Sequence, residues 1–119
     1  MPAFDPRLLI ALARELASAG ATEAGLRSAV NRAYYGVFLL ARVKAHLTGT
    51  ETVHGWTIAA IKAKPGFWAT GVLLDELRRL RVEADYALTP GDPEYADWAA
   101  NWREAEYRVS QILPKLDSW

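Results

Sequence analysis

Apolar residues recur at alternating intervals of three and four along almost the whole chain, and no stretch alternates apolar with polar residues well enough to make a strand. A chain patterned this way can bury its hydrophobic surface only by packing helix on helix, so an all-α fold is predicted. Asp5 reads as the N-cap of a first helix, with Pro6 at the first helical position, where its missing N–H is orphaned anyway. Leu8, Leu9, Leu12 and Leu16 form its expected buried face, and Gly20 stops it. Thr22 caps a long second helix carrying Leu26, Val30, Ala33, Val37 and Leu40, which ends near Thr48-Gly49. A shorter third helix runs from about Glu51 to Lys64, with Trp56, Ile58, Ala59 and Ile61 apolar, and Lys64-Pro65-Gly66 terminates it. The fourth spans about Thr70 to Leu88, with Leu73, Leu77, Leu80, Ala84 and Leu88 on one side and Asp75, Arg78, Arg79 and Glu83 near the other. Thr89-Pro90-Gly91 breaks it, and Asp92-Pro93 repeats the cap-then-proline device for a last helix. There Tyr95, Trp98, Trp102, Ala105, Val109, Ile112 and Leu116 form a bundle seam. Short connections favour antiparallel neighbours, so residues 1–119 are predicted to form one domain, an up-down antiparallel four-helix bundle with an additional short helix.

Composition narrows the function classes. A 119-residue chain that is 51% hydrophobic and 24% charged can bury roughly two thirds of its unfolded surface, so it needs no disulfide or metal as a staple. The absence of cysteine excludes disulfide frameworks, zinc knuckles and thiol nucleophiles, and fits a reducing cytoplasm. Fourteen basic residues against fourteen acidic ones argue against coating nucleic acid through bulk charge, which leaves room only for a local basic stripe. No window approaches the roughly 18 apolar residues of a membrane span, and no cationic leader precedes an apolar run, so a cytoplasmic protein without membrane contact is expected. His46 and His54 are the only imidazoles, the paired Glu-x-x-His motifs of di-iron bundles do not occur, and no metal or other cofactor is expected. The eight glycines are scattered, and neither a phosphate loop nor a serine nucleophile elbow is present.

Several side chains could carry chemistry, each with a plainer alternative. On the second helix Ser28, Arg32, Tyr35, Leu39, Arg42 and His46 form one stripe at fours and threes. Guanidiniums beside a phenol and an imidazole can hold phosphates and stack a base. The commoner reading is an amphipathic boundary whose long side chains snorkel over the core. On the fourth helix Arg81 and Asp85 lie one turn apart, and an exposed pair of that kind contributes only about 0.3–0.5 kcal/mol. Arg81 also lies close to the Leu77, Leu80 and Ala84 stripe, and a half-buried arginine there must find partners or a ligand. His54 is either a cap or surface residue, or a general base toward a ribose hydroxyl if an arginine comes near it in space. Trp98 and Trp102 read as core residues by their spacing, whereas Tyr107 and Trp119 fall off that face and are candidates for a partner surface.

Three segments taken together carry a family likeness: Arg27-Ser28-Ala29-Val30-Asn31-Arg32-Ala33-Tyr34-Tyr35-Gly36-Val37-Phe38, then His54, then Leu80-Arg81-Val82-Glu83-Ala84-Asp85-Tyr86. In this order and at this separation they resemble the HEPN domains, particularly the short stand-alone prokaryotic branch, over about Leu26 to Tyr86. The resemblance implies a helical bundle that forms a homodimer and is commonly encoded beside a nucleotidyltransferase partner. It also implies a toxin–antitoxin or defence setting, in which members act as RNA-cleaving toxins or as accessory binding modules. Ribonucleases of the family carry an arginine followed, after four to six residues, by a histidine. This chain departs from that pattern, because neither His46 nor His54 has an arginine at that distance and Arg81 leads to Tyr86 without a histidine.

Three functional readings follow. In the first, Arg32, Tyr35, His54, Arg81, Asp85 and Tyr86 surround a groove that binds a nucleotide or an RNA segment. In the second, the chain is a metal-independent ribonuclease in which His54 is the base and Arg81 stabilises the phosphorane. In the third, Arg81, Asp85 and Tyr34 tie helices together and the exposed face docks a nucleotidyltransferase or a second copy of the chain. All three turn on whether the second and fourth helices bring their cationic and phenolic side chains together.

Overall fold

The structure is a computed structural model, and it describes residues 4–47, 53–87 and 97–119. The described residues form five helices: α1 (Arg7–Leu16), α2 (Glu23–Lys44), α3 (Val53–Ala63), α4 (Trp68–Tyr86) and α5 (Trp98–Asp117). The all-α prediction holds. Three of the helices are long and two are short, because α1 ends at Leu16, well before Gly20 takes its positive φ. The caps follow from local chemistry. Pro6 is the N-cap of α1, one residue later than expected, and Asp5 Oδ1 accepts the Arg7 N–H, while at α2 the Thr22 hydroxyl accepts the Gly25 N–H at 3.1 Å.

Pairwise contacts give the direction of each helix. Leu16 lies by Gly25 and Ile10 by Gly36, so α1 and α2 are antiparallel. Arg27 donates to the Ala87 carbonyl, Asn31 to Asp85, and Arg81 lies over Tyr34, so α2 and α4 are antiparallel as well. Arg7 pairs with Asp117 and Arg14 with Glu106, which sets α5 antiparallel to α1. The four helices therefore run alternately up and down, with α2 in contact with α1, α4 and α5, and with α3 laid mainly against α4. The core is continuous and includes Ile10, Tyr34, Val37, Ile61, Leu74, Leu77, Val109, Ile112 and Leu116. None of the described helices is long and apolar enough to cross a membrane.

Several expected details differ. Leu8 and Leu12 are exposed, and α1 docks through Pro6, Ile10 and Ala13 instead. Gly36 lets this line dock closely, since a Cβ there would sit 2.6 Å from the Ile10 side chain and 3.0 Å from the Pro6 carbonyl. Trp56 is exposed on α3. The last helix begins at Trp98, capped by Asp97, whose Oδ1 accepts the Ala100 N–H at 3.0 Å. Thr48-Gly49, Glu51, Leu88, Asp92-Pro93 and Tyr95 lie outside the described residues. Trp98 is buried and Trp102 half-buried, as their spacing required. Trp119 is no free surface residue, because it packs edge-on against Phe67 at 5.0 Å under the Lys64 ammonium.

The close approach at Gly36 has a measurable consequence. Gly36→Ala gains about 1 kcal/mol of helix propensity but overpacks a site backed by a main-chain oxygen, for a net loss of about 1–2 kcal/mol. Gly55→Ala, with nothing within 4 Å of the new methyl group, should instead raise stability by about 0.5–1 kcal/mol. Denaturant midpoints that shift in the same direction for both variants would contradict the packing of α1 on α2.

Candidate functional site

α2 places Tyr34, Phe38 and Arg42 one turn apart on one face, with Tyr35 beside them, because residues four apart stack along a helix. α3 begins at Val53, so His54 enters at its first turn and lays its ring flat on Phe38, with centroids 4.3 Å apart and planes at 14°. The Tyr34 hydroxyl and His54 Nδ1 share a hydrogen bond of 2.5 Å. From the other side α4 brings Arg81, whose guanidinium carbon lies 5.2 Å from the Tyr34 ring centroid and 5.4 Å from that of Tyr35. Three helices thus meet on the Tyr34-Tyr35 pair, with an imidazole on one side and a guanidinium on the other.

Burial governs the protonation states. It pushes the Tyr34 phenol well above its ordinary range, so the hydroxyl keeps its proton. It also lowers the His54 pKa from its ordinary 6.5, helped by the positive charges of Arg78, Arg81 and Arg42, and the imidazole is neutral at pH 7. Between a protonated phenol and a neutral imidazole, the phenol is the stronger hydrogen-bond acid and the imidazole nitrogen the stronger base. Tyr34 therefore donates to Nδ1, and the remaining imidazole hydrogen sits on Nε2, which acts as a donor.

Arg81 faces inward. It is only 7% exposed, reaches Asp85 at 3.3 Å, and buries its Nε against the tyrosine faces with no hydrogen-bond partner among the described residues. Asp85 in turn accepts the Asn31 amide at 3.0 Å on both oxygens, and Asn31 Oδ1 accepts from Arg32 at 2.6 Å. Arg32 is therefore joined to Arg81 through Asn31 and Asp85, and it opens onto a second surface. That surface is a shallow groove of about 270 Å³ lined by Arg27, Ser28, Asn31, Arg32, Ala84 and Asp85.

Of the six residues singled out in the sequence, His54, Tyr35 and Arg81 share one cluster, and Asp85 and Arg32 continue it through side-chain hydrogen bonds. Tyr86 stands apart, 73% exposed at the end of α4. Phe38, Arg78 and Arg42 as neighbours of His54 were not foreseen. The available signal was that Phe38 and Arg42 follow Tyr34 at single-turn intervals and that Arg78 precedes Arg81 by one. A depression of about 410 Å³ between α4 and α5 includes none of the six; in it Arg108 is held by Glu76 at 3.2 Å and by Glu104 at 2.7 Å, beside Arg79.

No protein-family model, curated protein or solved structure matches this chain.

His54 makes stability depend on pH. The unfolded chain takes up the His54 proton near 6.5, whereas the folded chain resists it until lower pH, so below 6.5 the unfolded state binds more protons and folding weakens. Stability should accordingly be complete above that value and decline as the pH falls below it. His54→Gln should flatten this part of the profile, and equal slopes in parent and variant between about pH 7.5 and 5.5 would show that His54 is not held neutral.

Proposed function

We propose that the chain is a HEPN-like, homodimeric module that binds the phosphate groups of a nucleotide or of a single-stranded RNA segment at the α2–α3–α4 cluster, beside a nucleotidyltransferase partner in a toxin–antitoxin or defence setting. The observation that carries the reading is the convergence of Arg42, Arg78 and Arg81 on a neutral, ring-stacked His54. Arg78, Arg42 and His54 are each half-exposed, so a phosphate can approach them, while Arg81 stays inside and fixes the tyrosines. A neutral imidazole offering Nε2–H complements the guanidiniums as a donor toward phosphate oxygens. Half-buried Tyr35 supplies ring surface for a base.

The ribonuclease reading needs His54 as a proton acceptor toward a ribose hydroxyl. The bond from Tyr34 occupies Nδ1 and leaves the proton on Nε2, which favours binding over cleavage.

Titration of fluorescent single-stranded RNA and of ATP should give saturable binding, weakened about tenfold by Arg78→Ala and accompanied by a shallower salt dependence. No binding at millimolar ligand would overturn the reading. In the presence of chelator the RNA should remain intact, and scission that disappears in a folded His54→Ala protein would replace this reading with the nuclease one.

A further inference from the structure

α4 buries one face in the bundle, and its opposite face is covered by no other described helix except near its start, where the Lys62 ammonium of α3 lies 5.0 Å from the Trp68 ring centroid and Val72 and Asp75 are half-buried. That outer face carries Trp68, Val72, Asp75, Arg79, Val82 and Tyr86, spaced four, three, four, three and four apart, the repeat of a coiled-coil seam. Trp68 is 64% exposed, Val82 42% and Tyr86 73%, while the seam's two central positions are charged and of opposite sign. Asp75 and Arg79 are only four residues apart, yet neither makes an ion pair among the described residues, with each other or elsewhere. A groove of about 380 Å³ follows the same face, lined by Asp75, Arg78, Arg79, Val82 and Glu83.

The order of residues along this stripe identifies its occupant. Trp68 and Tyr86 lie equally far from Leu77 in sequence, as do Val72 and Val82, and as do Asp75 and Arg79. An antiparallel copy of the same helix, related by a two-fold axis at the level of Leu77, therefore sets aromatic on aromatic, valine on valine, and each carboxylate on the guanidinium of the other copy. Isologous contacts require such self-complementarity, and antiparallel helices in 3-4 packing supply the geometry. We propose that the outer face of α4 is the dimer interface of this chain, pairing with α4 of a second copy in this register. The inference deepens the homodimer part of the reading above and rests on it, and it needs no ligand.

The dyad runs across the seam, so a side chain lying to one side of it in one copy lies to the same side in the other. Arg78 follows Leu77 directly and flanks the stripe, which brings the arginine clusters of both copies to one edge of the interface. An anionic strand crossing that edge would meet both clusters, with the partner copy completing the site.

Charge reversal tests the register. Asp75→Arg and Arg79→Asp each turn two attractive contacts into two repulsive ones, and each should weaken the dimer about a hundredfold in sedimentation equilibrium. The double variant Asp75→Arg/Arg79→Asp should restore it. An equimolar mixture of the two single variants should give heterodimers, since each supplies the charge the other lacks. Both positions lie on the outer face of α4, and unchanged helical circular dichroism will verify that the variants fold. A dimeric parent whose single variants dimerise equally well, or whose double variant stays monomeric, would overturn this interface and leave the homodimer reading standing. A parent that is monomeric at high micromolar concentration would overturn both.

Discussion

The candidate site depends on the burial of Tyr34. Its ring is fully enclosed between α2 and α4, and its hydroxyl, which burial without a partner would make costly, is satisfied by His54. That one requirement fixes where α3 starts and how its imidazole is oriented. It also keeps the imidazole neutral, because the ring is partly buried against Phe38 and lies near the positive charges of Arg78, Arg81 and Arg42, both of which disfavour a further positive charge. Arg81 completes the arrangement from the opposite side, trading water for two aromatic faces and Asp85. A tyrosine that reads in sequence as one of a pair is, in the fold, the point at which three helices are held in register.

The balanced net charge conceals a strongly uneven distribution. Carboxylates are spent on the sides of the bundle, where Asp117 meets Arg7, Glu106 meets Arg14, and Glu76 and Glu104 hold Arg108. Among the described residues the charges that act on His54 are Arg78, Arg81 and Arg42, with Asp85 paired to Arg81 and Asp75 near the adjoining Tyr34. A protein with no overall attraction for polyanions can therefore present a local one, with range limited by screening to roughly 10 Å in physiological salt. Such a surface suits short, specific contacts with phosphate and is poorly suited to coating a long nucleic acid.

α4 links the core, the site and the outer stripe. Its inner face, with Leu74, Leu77, Leu80 and Ala84, closes the core, its flank carries Arg78 and Arg81 to the imidazole, and its outer face holds the self-complementary stripe. Residues one apart on a helix point about 100° apart, so nineteen residues can serve three surroundings without conflict. Position along α4 then couples the surfaces, since Arg78 of the site lies between Asp75 and Arg79, the two central residues of the stripe.

The periodicity determined the helices and most of the core, because burying an apolar stripe on a 3.6-residue repeat is a local demand that any helical partner can meet, and the short connections determined their antiparallel order. The same periodicity pointed α1 inward through Leu8 and Leu12, whereas the docked line is Pro6, Ile10 and Ala13, since the close approach that Gly36 permits is a property of two helices together. It placed the last cap at Asp92, although Asp97 also precedes a seam residue and bonds the first turn. For the site, the Arg-Tyr blocks and His54 were legible as residue types. Their meeting on Tyr34, the inward commitment of Arg81, and the nearness of Arg78 and Arg42 to the imidazole were decided only by how α3 and α4 settle against α2. Spacing within one helix specifies which side chains share a face, whereas the pKa of a histidine depends on charges and surfaces delivered by other helices, through space that no linear order encodes.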